Sequence, residues 1–402
     1  MTLQAHIQAR LTALGVTCSV VGDEVHIERA PRPVKLRFED EWREGFDQYK
    51  RARSIAFDLE SRTLAHNNSI ELLVTRLSST SLLPSEQYAF ADRHGNTVAV
   101  GTASAAFAFS FFDSSEYEQF FNLRVKKRLL ETEIFIRRIP QLIWLPTTAV
   151  YTHKGRKTPP DLKDKAVIAV RNTLFKIAVE QHDCLALWKP RKRRLKSVYL
   201  DQSTDDHTIP RAQYDENVVS YYKVAKASPF PSQSFLAYYH VLEYYFLRVS
   251  ELLLHDRLTS MLNDTGFRAS REGLDKVISA VRGQDARADE TEMLRNVLDR
   301  FVPETDLIDF INKFEEACGE KIYSKRRTVF GEQLQISAQK DHATANSAKV
   351  LKHVRNAIVH SSDRYKREDC HIPLSESEDV IEEFIPLVRF FAERVIFGTA
   401  TQ

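Results

Sequence analysis

Glycine is scarce in this chain, with 12 in 402 residues. No two glycines are spaced to make GxGxxG or GxxxxGK. That excludes a P-loop and a dinucleotide site built on a glycine turn. Cysteine is scarcer still, and the four thiols at 18, 184, 318 and 370 show no paired spacing. Free thiols in a reducing cytoplasm are therefore expected. Long apolar runs are missing. The longest, 97–112, is rich in Ala and Ser and too short to span a bilayer. The first twenty residues have no basic start followed by an apolar core, so no signal peptide is expected. Neither charge sign dominates: 57 basic against 55 acidic residues leave a net charge of +2. A wholesale basic coat for nucleic acid is excluded, but a local one is not. GxSxG, HExxH and DxDxDG are also absent.

What is present is ordinary for a folded protein: 43% hydrophobic and 28% charged residues. At about 150 residues per domain, the length predicts two or three domains. The charge is unevenly placed. Residues 1–227 carry 34 basic and 27 acidic side chains, whereas 228–402 carry 23 and 28. A nucleic-acid grip is thus expected from the front half.

The hydrophobic pattern changes at the same place. Residues 3–14 have helical spacing through Leu3, Ile7, Leu11 and Leu14. Short alternating runs at 17–21 and 24–28 flank Gly22-Asp23, a hairpin signal. Strands are also expected at 34–38, 69–76, 87–92, 97–100, 165–170, 173–179, 184–188 and 197–200, with a helix at 115–131. Residues 1–227 therefore read as an α+β or mostly β domain, of which α+β is the expectation carried forward. Ser228-Pro229-Phe230-Pro231-Ser232 marks a boundary, because proline stops one element and opens the next. Beyond it the pattern predicts helices at 233–255, 270–282, 289–301, 305–317, 343–361 and 375–397. Ser375 with Glu378 has capping-box spacing for the last of these. Short connections favour an antiparallel all-α bundle over 228–402.

The strongest local feature is Arg355-Asn356-Ala357-Ile358-Val359-His360. Five helical residues turn about 140°, so Arg355 and His360 share a face only if the last turn frays. Metal-free RNA scission needs a base for the 2′-OH, an acid for the leaving 5′-oxygen, and a cation for the phosphoryl charge. Histidine, with an ordinary pKa of about 6.5, serves as either base or acid. Arginine stays charged and grips phosphate oxygens with its fork. By spacing alone the pair is weak, and a surface arginine with a histidine set against the helix dipole is the plainer reading.

Three stretches strengthen it: 235–246 (FLAYYHVLEYYF), 355–360 (RNAIVH), and 373–378 (PLSESE) running into 385–396 (IPLVRFFAERVI). Together they make 228–402 resemble the HEPN domain, and more closely its ApeA-like branch among bacterial antiviral proteins. The resemblance implies an all-α HEPN-like bundle following the α+β domain. It also implies a metal-independent endoribonuclease that needs no cofactor, acting as a toxin or abortive-infection effector. On it, Arg355 and His360 are the catalytic candidates and Asn356 a supporting polar group. A homodimer bringing two motifs together is implied too. A catalytically silent module that dimerises and senses RNA, a nucleotide or a phage protein is the alternative. An inhibitory or activating protein partner fits either reading.

Glu243 lies in a run that is apolar on nearly every face, and a carboxylate buried there needs a partner. Arg355 or His360 would supply a functional one, a tyrosine hydroxyl or another arginine a structural one. His240, three residues earlier, can reach the same side, although a core histidine is the plainer reading. The eight residues 189–196 hold six cations: Lys189, Arg191, Lys192, Arg193, Arg194 and Lys196. Beside Trp188 they form a candidate RNA-backbone contact, or a solvated loop. Arg364, Lys366 and Arg367 follow His360 closely and form a second such candidate. His182-Asp183-Cys184 and Cys370-His371 lack a second ligand pair at zinc spacing, so no metal site is expected.

Overall fold

The computed structural model describes residues 1–28, 33–52, 54–77, 87–130, 142–155, 159–189, 211–286, 289–360 and 370–401. The chain forms two compact units, Met1–Pro190 and Arg191–Gln402. The first is α+β with antiparallel sheets, and the second is nearly all helix. The division falls earlier than the expected boundary at 227/228. Helix Glu216–Ala227 goes with the second unit because Val218 and Ala225 are buried in its core.

In the first unit, α1 (Leu3–Ala13) packs on a three-stranded sheet of β1 (Cys18–Val21), β2 (Glu24–Ile27) and β3 (Val34–Leu36). Gly22, at φ +59°, makes the hairpin turn that the sequence indicates, with Val21 opposite Glu24. Helices α2 (Asp40–Arg51) and α3 (Ala105–Phe112) close this core. They approach so closely that a Cβ on Gly45 would lie 2.4 Å from the Ala105 Cβ. Glycine is required there for packing rather than for a turn.

The larger sheet runs β4 (Ile55–Asp58), β5 (Thr63–His66), β6 (Ser69–Arg76), β9 (Thr147–Thr152), β8 (Thr97–Thr102), β7 (Tyr88–Ala91). A short strand, β10 (Leu185–Leu187), also pairs with β6. Both faces of β6 are covered, so residues 70–74 are buried without a break, Glu71 included. Ile70, Leu72 and Val74 meet a helix on one face, while Leu73 meets Phe107 of α3 on the other. Glu71 shares the α3 face and is buried. It accepts from the backbone N–H and hydroxyl of Ser104 and from the Thr148 hydroxyl, and burial raises its pKa. Short helices α4 (Glu116–Phe120) and α5 (Lys126–Leu130) are joined by a π-helical turn, Phe121–Val125.

The strand expectations at 165–170 and 173–179 are wrong. These residues form one helix, α6 (Leu162–Glu180). Leu162, Ala166, Val170, Leu174 and Ile177 are buried at helical spacing against the sheet. The β-branched residues Val167, Ile168 and Val170 have strand propensity, but the sheet face needs a covering helix, and packing overrides local preference. The outward Ile168, Phe175 and Val179 stay exposed, and they blurred the pattern. The expected strand at 197–200 lies outside the described residues.

Among the described residues the second unit's first helix is α7 (Glu216–Ala227), and the unit is built around α8 (Pro231–Glu243). Phe235, Tyr238, Tyr239, Val241 and Leu242 of α8 are all essentially inaccessible. Each such side chain contributes about 1.5–3 kcal/mol relative to exposure, which makes α8 the axis of the bundle. The single helix expected at 233–255 is interrupted. The chain turns at Tyr244-Tyr245, and α9 (Phe246–Leu262) buries only Phe246 and Val249. Then come α10 (Arg271–Ala286), α11 (Glu290–Phe301), α12 (Glu304–Cys318), a hairpin of β11 (Arg327–Val329) and β12 (Glu332–Leu334), α13 (Ala343–Val359), α14 (Ser377–Glu382) and α15 (Ile385–Gly398).

The expected capping box does not form. Ser375 donates to the Ile372 carbonyl, and Glu378 turns inward. Its carboxylate accepts from the Ser232 backbone N–H and hydroxyl, each at 2.9 Å, and meets His371 Nε2 at 2.9 Å. Burial opposes ionisation of Glu378, but these bonds outweigh it and lower its pKa. The pair pins the stretch after α13 onto the start of α8. The His371 N–H also donates to the Ala357 carbonyl.

Candidate active site

The motif lies at the end of α13. Val350, Leu351, Val354 and Ala357 bury one stripe of that helix, leaving Lys352, Arg355 and Asn356 on the opposite side. Arg355 is the meeting point of three helices. Its Nη2 is 3.8 Å from Oε1 of Glu243, the last residue of α8. Its Nε is 3.5 Å from Oε1 of Glu290, the first residue of α11. Its Nη1 donates to Asn356 Oδ1 at 3.2 Å. All three contacts are long, and a guanidinium has five donors. Arg355 is therefore held in place without its hydrogen-bonding capacity being used up.

Further bonds brace the carboxylates. The Tyr239 hydroxyl donates to Glu290 Oε1 at 2.9 Å, and burial together with that carboxylate drives the phenol pKa upward. Lys352, one turn before Arg355, reaches Asp289 at 2.6 Å and the Thr291 hydroxyl at 2.8 Å. These bonds from Lys352 and Thr291 hold the Asp289 pKa down. His240 Nδ1 lies 2.8 Å from Glu243 Oε2, and the Tyr221 ring of α7 stands 5.5 Å from the imidazole.

Of the partners expected for Glu243, Arg355 lies 3.8 Å away and His360 makes no contact with it, and Glu243 is half-exposed rather than central. His360 ends α13 as its C-cap at φ −104° and ψ 57°. Its N–H donates to the Asn356 carbonyl, its carbonyl accepts from the Cys370 thiol, and its imidazole is exposed. Among the described residues no side chain bonds to that imidazole, so no contact joins it to Arg355 or Glu243.

Glu290 was missed by sequence reasoning, as were Asp289 and Lys352. An acidic pair opening a helix reads as a complement to the helix dipole, and nothing local to it points to Arg355. His240 was set aside as a core histidine, yet its side chain is 47% exposed. The spacing of three residues to Glu243 was the usable signal.

The basic candidates are mostly out of view. Arg191, Lys192, Arg193, Arg194, Arg364, Lys366 and Arg367 lie outside the described residues, whereas Lys189 is described and exposed. Trp188 offers a poorer stacking surface than expected. It is half-buried, and the Arg62 guanidinium sits 4.6 Å from its ring centroid. Asp183 is paired with Arg76 at 2.8 Å, and His371 is buried on Glu378, so both have structural partners. Among the described residues no group of three or more His, Cys, Asp or Glu side chains is placed to hold a metal ion. The four cysteines are unpaired. Among the described residues no helix is long and apolar enough to cross a membrane.

Comparison with protein-family models, curated proteins and solved structures finds no match to this chain.

Proposed function

We propose that this chain is a metal-independent endoribonuclease of the HEPN type, acting in the cytoplasm as a toxin or abortive-infection antiviral effector. The observation that carries the reading is Arg355. It is held by carboxylates of two other helices near the end of α13, and that helix ends in a histidine with an exposed imidazole. Arg355 takes the phosphoryl charge and His360 moves a proton. Asn356 and Glu243 keep the guanidinium in place. The chain dimerises through the helical unit, and a protein partner holds the activity off or releases it. The reaction needs a second proton-transfer group. A second copy is one source, and helix α8 of the same chain holds another.

One observation favours the alternative, a catalytically silent module that dimerises and senses a ligand. Around Arg355 the carboxylates of Glu243, Glu290 and Asp289 outnumber the cations Arg355 and Lys352. An incoming phosphate meets repulsion there unless other cations offset it. Incubating the purified chain with total RNA in EDTA separates the two readings. The ribonuclease cuts under these conditions and leaves a 2′,3′-cyclic phosphate and a 5′-hydroxyl. Activity that is lost in EDTA and restored by magnesium overturns it.

A further inference from the structure

We infer that His240 is the second proton-transfer group of this site, so that one chain carries both the base and the acid. The inference rests on the ribonuclease reading and adds to it a residue and a division of labour.

The geometry is specific. The unit has other histidines, but they are placed differently. His353 has both ring nitrogens engaged, by the Val329 carbonyl at 2.9 Å and by Glu332 at 3.4 Å. His371 is buried against Glu378. His240 sits on the last turn of α8, where Glu243 Oε2 holds its Nδ1 at 2.8 Å. The other oxygen of that carboxylate is the one facing Arg355 Nη2 at 3.8 Å. A single carboxylate thus fixes both the imidazole and the guanidinium, which sets them side by side. A carboxylate on Nδ1 also selects the tautomer, leaving the Nε2 lone pair outward in the neutral ring. Among the described residues nothing bonds to that Nε2. The Tyr221 ring, tilted by 39°, backs the imidazole from α7. His360 is five residues from Arg355 along the chain, about 7.5 Å of helical rise. His240 is tied to the guanidinium through Glu243, whereas His360 follows it on α13, about 140° further round the helix and without a contact to it among the described residues.

The chemistry balances without a co-reactant. Neutral His240 takes the 2′-OH proton at Nε2 as the 2′-oxygen attacks phosphorus. The bond from phosphorus to the 5′-oxygen breaks, and protonated His360 gives its proton to that oxygen. The products are a 2′,3′-cyclic phosphate and a free 5′-hydroxyl. Proton exchange with water resets both rings. Arg355 carries the charge on the phosphoryl oxygens throughout. Glu243 is a positioning residue because it acts through the other two.

The test is the pH–rate profile of the full chain on single-stranded RNA in EDTA, for wild type, His240→Gln and Glu243→Gln. The groups facing His240 are Glu243 on its own helix, Tyr221 from α7 and, through Glu243, Arg355 of α13. Wild type should give a bell. His240→Gln should lower the rate about 10²–10⁴-fold and remove one limb. Glu243→Gln should lower kcat with little change in KM. The rate per chain should stay constant on dilution below the concentration at which dimers separate. Added imidazole should restore part of the rate to His240→Ala, which marks the loss as chemical rather than structural. If wild type cuts and His240→Gln cuts within two-fold of it with the bell intact, His240 is not the second group, although the ribonuclease reading stands. A loss in His240→Ala that imidazole does not relieve, with the bell unchanged in His240→Gln, overturns it equally. A wild-type chain that cuts no RNA between pH 5 and 8.5 overturns the reading and this inference together.

Discussion

Glu243 Oε1 lies 3.8 Å from Arg355 Nη2, tying the last turn of α8 to the end of α13. The two residues are far apart in sequence, and the pair forms because both helices bury their opposite stripes in one core. Arg355 also reaches Glu290, so its loss leaves two carboxylates facing each other without the cation between them.

Arg355→Ala should separate structure from chemistry. The ion pairs are long and partly exposed, so their loss should cost about 1 kcal/mol. That lowers Tm by about 2–4 °C for a unit of this size. On the proposed function, the cutting rate should fall about 10²–10³-fold while RNA binding is largely kept. Parallel melting, binding and cleavage measurements check this. A variant that cuts at the wild-type rate would show that Arg355 is only a brace.

His360→Ala should have no structural cost. The imidazole is exposed and has no partner among the described residues, so Tm should stay within about 1 °C. Cutting should be abolished, and the dimer should survive in size-exclusion and scattering measurements. Retained cutting would remove His360 from the mechanism.

The basic stretch is tested through salt. If Arg191, Lys192, Arg193 and Arg194 touch phosphates, changing all four to Ala should weaken RNA binding. The slope of log affinity against log salt should flatten by about 0.7 per lost contact on single strands. Unchanged affinity with an unchanged slope would make the stretch a solvated loop. The grip would then move to Arg364, Lys366 and Arg367.

The buried Glu378 predicts an acid-sensitive brace. Its pKa in the folded chain is lowered, so it binds its proton more readily when unfolded. The stabilisation is therefore complete above the ordinary value of 4.5 and is lost as pH falls through the folded value. Glu378→Ala strands the Ser232 N–H and should cost about 1–3 kcal/mol at neutral pH. Urea unfolding should show the gap to wild type narrowing in acid. A gap that widens below the ordinary carboxylate range would contradict the linkage.

Much of the local structure was legible because its signals are local. The Gly22-Asp23 hairpin, the helical spacing from Leu3 to Leu14 and the periodic helices after Ser228 each depend on residues within a turn or two of one another. The run from 165 to 179 misled because exposed Ile168, Phe175 and Val179 share one helix with its buried stripe. Only the sheet beneath selects which stripe is the core.

The sequence alone determined the α+β front, the helical back and the Arg355–His360 motif, since composition, periodicity and spacing are properties of the chain itself. Tertiary structure decided what Arg355 meets. Glu243 and Glu290 come together there because three helices bury their apolar stripes against one another and leave their polar stripes to converge, and Glu243 brings His240 with it through their three-residue spacing. Such convergence follows from packing between distant segments, and no pattern along the chain encodes it.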